Sequence, residues 1–478
     1  MNYEMVMGLE VHVELAAQTK LFCACSALFG AEPNQNVCPA CCGMPGSPPV
    51  LNKRAVELGI IAATLVNGTV PPVMTFDKKN YFYPDLPAGY QITQNTAPVC
   101  TGGSVEIPTA QGTKTITLKQ IHIEEDAGKL SHEPRRSRSK ADYNRAGVPL
   151  IEIVSNPDFR TADEVISYLQ KLQKLLSFAG VSDCKMQEGS MRCDVNISVR
   201  KSGAKQLGVR VEIKNMNSFK AIERAIAYES RRHIDALQVG APLFQETRGW
   251  DDGLGETFAM REKADAHDYR YFPNPEIPPV ILDEKWKNKI LKSIPESAQE
   301  IFNRYRSVYK LSDYEAEILT QSKRISEIFQ QTADRGVAPK DAAGWIITEL
   351  LGAARQEKID IEQIAFNADT FAHIIKLVKA DKINRNAGKA LLVLLIKDDT
   401  LNADQYLTQN NLYIGMDSGE LDGIIAAIVR DNPQSVAEYK AGNEKVLTFF
   451  MGQIMKATRG KADHKTVQAI LLKILSAQ

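Results

Sequence analysis

Two short stretches of this 478-residue chain carry residue types that could do chemistry. "QIHIEEDAGK" (120–129) sets Glu124, Glu125 and Asp126 side by side at the end of an apolar-polar alternation. Like charges that close repel unless a cation stands among them. The run is therefore either a solvated turn or one wall of a cation site. "FCACSALFGAEPNQNVCPACC" (22–42) places Cys23 and Cys25 ahead of Cys38, Cys41 and Cys42, with twelve residues between Cys25 and Cys38. Two close pairs across a short loop suit a tetrahedral zinc ion. The predicted ligands are Cys23, Cys25, Cys38 and Cys41, with Cys41 preferred to Cys42; a reduced, packed cluster is the alternative. Four thiolates leave no open position, so such a zinc would be structural. Cys100, Cys184 and Cys193 read as ordinary packed thiols.

Further acids recur on alternating runs, whose side chains point to opposite faces of a strand. "GLEVHVEL" puts Glu10, His12 and Glu14 on one face. "QIHIEE" adds His122 and Glu124, and "PLIEIV" adds Glu152. "MRCDVNISVR" offers Arg192, Asp194, Asn196 and Arg200, and "VRVEIKN" offers Arg210, Glu212 and Lys214. One apolar and one polar face is the habit of antiparallel sheets. For any single strand, solvation explains the polar face. If the strands share a sheet, the carboxylates and His12 converge over one surface. Mg²⁺ takes oxygen ligands and is often held by one or two carboxylates plus substrate phosphates. Arginines and lysines on the same faces could clamp a polyphosphate. Nothing resembles GxxxxGK[ST], which argues against a P-loop.

The elements that would position these residues are legible in outline. Two helices interrupt the strands, "TADEVISYLQKLQKLLSFAG" with Thr161 as N-cap and Gly180 as stop, and "NSFKAIERAIAYESRRHIDAL". After about residue 295, Gly and Pro thin out and apolar residues recur at helical spacing. The expected fold class is α+β. A domain built on an antiparallel sheet is expected over 1–292, a helical connection over 293–332 and a helical tail over 333–478. Two aromatic, Pro-rich stretches, "DKKNYFYPDLPAGYQITQ" and "ADAHDYRYFPNPEIPP", could bind a base or a partner, or simply form packed corners. The last helices carry six Lys or Arg, Lys456, Arg459 and Lys461 among them, against two acids. That surface could meet phosphates or be a plain helix pair. Overall the charges balance, 58 basic against 58 acidic, so any nucleic-acid surface must be local. No signal or transit peptide and no apolar run of spanning length are read, so the cytoplasm is the expected compartment.

"GLEVHVEL", "KNYFYPDLPAGYQITQ", "IHIEEDAGK", "DYNRAGVPLIEIVSNPD", "GSMRCDVNISVR", "VEIKNMNSFKAIERAIAYE", "QETRGWD" and "DYRYFPNPEIPP" occur in order. Together they resemble the B-subunit family of the aspartyl/glutamyl-tRNA(Asn/Gln) amidotransferases over nearly the whole chain. The resemblance implies a heterotrimer with two further subunits, one an amidase and one small. It implies Mg-ATP-dependent phosphorylation of the side-chain carboxylate on Glu-tRNA(Gln) or Asp-tRNA(Asn). Ammonia released from glutamine in the amidase then displaces phosphate. The implied Mg²⁺ ligands are Glu10, His12 and Glu125, with Glu152 and Glu212 as further catalytic candidates. Glu124 and Glu188 would support them from behind, and Asp126 could cap the following turn. Arg192 and Lys214, chosen by their strand face, are the candidate clamp for the ATP phosphates or the substrate carboxylate. The tail, with Lys456, Arg459 and Lys461, would bind tRNA. Some family members lack the Cys pairs, so zinc rests on this sequence's own spacing. A scaffold that binds RNA without chemistry, and a ligase acting on a small molecule, are the competing readings.

Overall fold

The computed structural model describes residues 3–133, 138–262, 268–364, 366–414, 418–440, 443, 445–458, 462 and 464–477. The chain divides into two compact units, Met1–Ser297 and Ala298–Gln478. The first unit's described elements include sixteen strands, five of them the alternating runs. They are β1 (Tyr3–Glu14), β2 (Val73–Met74), β3 (Asp77–Asn80), β4 (Tyr90–Thr93), β5 (Cys100–Thr101), β6 (Ser104–Thr109), β7 (Gly112–Glu125) and β8 (Lys129–Glu133). β9 (Arg138–Asp142), β10 (Pro149–Ser155), β11 (Met191–Lys201), β12 (Val211–Lys214), β13 (Glu246–Asp251), β14 (Glu256–Glu262), β15 (Phe272–Pro273) and β16 (Val280–Ile281) follow.

A nine-stranded sheet runs β14-β13-β12-β11-β1-β10-β7-β5, with β6 paired to β7. The neighbouring strands are antiparallel except β12 and β13, which run parallel. The sheet is thus mixed rather than purely antiparallel. The reason lies between those two strands: helix α3 (Phe219–Val239) carries the chain back to the starting edge, as a parallel pairing requires.

The register aligns the chemistry-bearing residues. Arg192, His12, Glu152 and His122 stand opposite one another across β11, β1, β10 and β7. One step along, Asp194 faces Glu10, and beyond it Asn196 faces Glu212. On the other face Val11, Val13, Ile121, Ile123, Ile151, Ile153 and Val195 are fully buried. They share one core with helices α1 (Lys53–Leu65), α2 (Ala162–Phe178) and α3. α2 commits Val165, Leu169, Leu172 and Leu176, a 3.6-residue stripe, to that core. Thr161 caps it by accepting from the Glu164 N–H, and Gly180 beyond its end takes φ 67°. Ser218 caps α3 in the same way, from the Ala221 N–H. The core side is therefore rigid and dry, which leaves the polar face as the working surface.

The second unit's described elements are helical. They build two apolar cores, one from Tyr305 to Leu407 and one from Leu421 to Leu475. Among the described residues, no helix is long and apolar enough to cross a membrane.

Candidate active site and thiolate centre

The polar face of the sheet opens into a cavity of about 730 Å³, with His12, His122, Glu124 and Glu152 among its walls. The His12 Nε2 lies 3.4 Å from Glu152 and 3.7 Å from Glu124. The His122 Nε2 lies 3.2 Å from Glu152 and 3.4 Å from Glu124. Two imidazoles and two carboxylates thus alternate around a small ring, and Thr93 Oγ1 donates to Glu124 at 3.2 Å. Burial works to push both imidazoles down, but the adjacent carboxylates win. His12 is raised, and His122 is raised to about 10. By the same balance, Glu152 is held well below the carboxylate range and Glu124 is lowered. One ligand atom from each of His12, Glu124 and Glu152 lies within 4.8 Å of the others, spacing that could hold a metal ion.

A second acid group, Glu10, Asp194 and Glu212, meets the same criterion. Burial and the charges of Glu152 and Glu212 raise Glu10. Asn196 donates to it at 3.0 Å. Here, though, Lys214 already supplies positive charge, bonded to Asp194 and 3.0 Å from Glu212.

The structure regroups the expected ligands. Glu10, His12 and Glu125 do not form one set. Glu124 joins His12, and Glu10 sits with Asp194 and Glu212. Glu125 turns to a separate cavity of about 360 Å³ beside Lys20 and Cys41, where it accepts from the Ile92 N–H at 2.8 Å. Burial there pushes it up to about 7. The physical reason is strand parity: Glu124 shares its face with His122, and Glu125 does not. Arg192 and Lys214, expected as a phosphate clamp, are already engaged. Arg192 donates to Asp126 at 2.6 Å, and Lys214 serves the second acid group. Asp126 does accept from the next N–H, at 2.8 Å, but it is buried and its other oxygen fixes Arg192. Glu188 is exposed and pairs with Lys185 at 3.2 Å, apart from both acid groups.

Residue types alone assign no role to His122 and do not place Lys79. Lys79 enters the cavity from β3 with Tyr269 and Tyr271 near it. For His122, the alternation through "QIHIEE" is the usable signal.

The cysteines also meet. Sulfurs of Cys23, Cys25, Cys38 and Cys41 lie within 4.8 Å of one another, and Cys42 is outside the group. A tetrahedral zinc–thiolate centre needs S···S distances of about 3.8 Å, so the set fits with little movement. Lys20 is fully buried, and its ammonium donates to the Tyr143 carbonyl at 3.0 Å and to Cys41 Sγ at 3.4 Å. Hydrogen bonds from Cys23 and the Cys38 N–H, with Lys20, bring Cys41 down to about 4.

Comparison with known proteins bears on this arrangement. Residues 5–288 match the family model described as the GatB/GatE catalytic domain, and residues 327–475 match that described as the GatB domain. The chain belongs to the GatB/GatE family. It is 46% identical over 474 residues to the B subunit of the aspartyl/glutamyl-tRNA(Asn/Gln) amidotransferase of Agathobacter rectalis, covering 99% of this chain and all of that one. The corresponding protein of Lachnoclostridium phytofermentans is also 46% identical, with 99% of each chain covered. That of Caldanaerobacter subterraneus is 44% identical over the whole of both. Their naming as one lettered subunit marks these GatB proteins as parts of a multi-subunit enzyme. The GatB/GatE catalytic domain holds both acid groups and the thiolate centre. In the GatB tail, Lys456 is exposed near the end of the helix Val446–Ala457. Arg459 and Lys461 lie outside the described residues.

Proposed function

We propose that this chain is the phosphorylating and amidating subunit of a glutamine-dependent tRNA amidotransferase, working in the cytoplasm with an amidase and a small third subunit. Its substrates are Glu-tRNA(Gln) or Asp-tRNA(Asn), held by the helical tail, and ATP. The observation that carries the reading is the ring of His12, Glu124, His122 and Glu152 in one cavity of a GatB/GatE catalytic domain.

The chemistry needs such a ring. A carboxylate repels a nucleophile and has no good leaving group, so ammonia cannot displace its oxygen directly. The substrate carboxylate first attacks the γ-phosphorus of ATP, and the bond from phosphorus to the ADP oxygen breaks. The nitrogen of ammonia then attacks the acyl carbon. Phosphate leaves, the surplus proton departs to solvent, and an amide remains. Both steps crowd negative charge that only cations can hold. Glu124, Glu152 and His12 would hold Mg²⁺. Such an ion, when bound, supplies charge neutralisation at the phosphoryl oxygens. His122 fixes the two carboxylates from the second side. The Glu10, Asp194 and Glu212 group keeps Lys214 at the cavity's other end. Cys23, Cys25, Cys38 and Cys41 would bind zinc as a structural brace.

The test is ATP cleavage and amide formation by the co-expressed complex with Glu-tRNA(Gln) and glutamine. Glu124→Gln keeps shape and removes charge. It is expected to lower both rates by about 100-fold or more, with tRNA binding and glutamine hydrolysis retained. Glu125→Gln, in the other cavity, is expected to have the smaller effect. Normal turnover by Glu124→Gln would refute the assignment of the ring.

A further inference from the structure

The lysines and arginines at the main cavity and beside it are of three kinds. Arg192 and Lys214 are bonded to carboxylates. Lys119 and Arg210 sit exposed at its rim. Lys79 is different: it is half-buried, and among the described residues no hydrogen bond or ion pair engages its ammonium. Aromatic faces hold it instead. The Nζ lies 5.0 Å from the ring centre of Tyr269 and 5.7 Å from that of Tyr81. Those rings meet edge to face at 5.9 Å, and Tyr271 packs on Tyr269 at the same distance.

This cage is built rather than incidental. Asn80 ties the Tyr269 segment to β3: its backbone N–H donates to the Tyr269 carbonyl at 2.9 Å, and its side-chain amide to the Arg270 carbonyl at 2.9 Å. Lys78, one residue back and so on the opposite face, is spent on structure. It pairs with Glu276 at 2.9 Å and lies over the Tyr90 ring. A π face attracts an ammonium but accepts little from its three N–H donors. Lys79 lines the cavity, so its donors face the open space where an acceptor would arrive. An anionic, oxygen-rich group supplies what those donors lack.

Resting on the function proposed above, we infer that Lys79 is a catalytic residue. Its ammonium donates to the γ-phosphoryl oxygens as that group passes from the ADP oxygen to the substrate carboxylate. The P–O bond to ADP breaks with its electrons going to ADP, a new P–O bond forms to the carboxylate, and Lys79 keeps its protons throughout.

The experiment isolates that step. The assembled complex is given Glu-tRNA(Gln), Mg-ATP and hydroxylamine, without glutamine. Hydroxylamine attacks the side-chain acyl phosphate, releases phosphate and leaves a side-chain hydroxamate, counted as the Mg-ATP-dependent product because hydroxylamine also cleaves the tRNA ester to an α-hydroxamate. Lys79→Met, close in volume and uncharged, is expected to form it at least about 100-fold more slowly than wild type. Lys78→Met, which breaks a structural pair on the same strand, is expected to retain it. A wild-type rate in Lys79→Met overturns the inference, and so does an equal loss in Lys78→Met. Should Lys79→Met not fold, labelling of the wild-type complex decides. Mg-ATP with the tRNA is expected to shield Lys79 from acetic anhydride several-fold, read by mass spectrometry; undiminished labelling overturns it. A wild type that forms no hydroxamate refutes the phosphorylating function itself, a result distinct from any defect of the variant.

Discussion

Glu124 and Glu125 are neighbours in the chain and strangers in the fold. One joins two imidazoles, and the other faces the thiolate centre. Alternation in "QIHIEE" already set Glu124 with His122, whereas the family resemblance pointed to Glu125 as the ligand and to Glu124 as its support. The cysteine spacing was more informative, because four sulfurs around one ion leave few arrangements for two close pairs. Cys38→Ser is expected to drop the zinc content of the purified protein from about one per chain to well below it, as read by elemental analysis. The buried Lys20 was not legible as part of that centre, since nothing in its sequence neighbourhood marks a lysine for burial. It offsets thiolate charge, so Lys20→Met is expected to speed zinc loss to a chelator by about 10- to 100-fold. Unchanged release would mean that Lys20 only fills space.

At the scale of elements, the strands β1, β7, β10, β11 and β12 were readable because each holds a two-residue alternation, and the helices α2 and α3 because each has helical spacing and a clean N-cap. α1 was not named: Ala55, Val56 and every residue from Leu58 to Ala63 are buried, so it shows no narrow stripe. The parallel β12–β13 pair was illegible for another reason, since pairing between distant segments leaves no local pattern. What anchors that pair is a buried network. Glu229 on α3 is fully buried and receives Arg232 at 2.8 Å, Arg248 at 3.1 Å and the hydroxyl of Thr257 on β14. Burial alone would raise Glu229, but His233, Arg232 and Thr257 outweigh it and bring it down to about 2. A depressed carboxylate stabilises the fold above its unfolded pKa, and that stabilisation fades as pH falls. The contribution, about 3 kcal/mol at most, should vanish between pH ~4.5 and ~2. Glu229→Gln is expected to cost about 2–3 kcal/mol at pH 7 by removing one carboxylate from Arg232 and Arg248, which keep Glu246 as a partner. It should also flatten the acid limb of urea unfolding, and an unaltered limb would place the acid sensitivity elsewhere.

For the whole molecule, the second unit's two apolar cores set the terms of a truncation. A chain ended at residue 414 keeps every residue of the core from Tyr305 to Leu407 and loses the one from Leu421 to Leu475. It is expected to assemble with its partners and hydrolyse glutamine normally, while its affinity for tRNA, read by filter binding, falls at least about tenfold. Wild-type affinity would remove the tail from the tRNA surface. Balanced net charge hides any such surface in the composition; the local excess of lysines and arginines and the family resemblance are what point to one.

β1 lies at the centre of the sheet, between β10 and β11. It is therefore translated long before either neighbour exists. At ~5–20 residues per second, on the order of 10–30 s pass between the emergence of Glu14 and of Pro149. Throughout that interval a twelve-residue strand, apolar on one side and hydrogen-bond-hungry along both edges, has no native partner. The strand that carries Glu10 and His12 is thus an aggregation hazard of the nascent chain, and the cell's chaperones should meet this protein early at a segment that bears part of the proposed site.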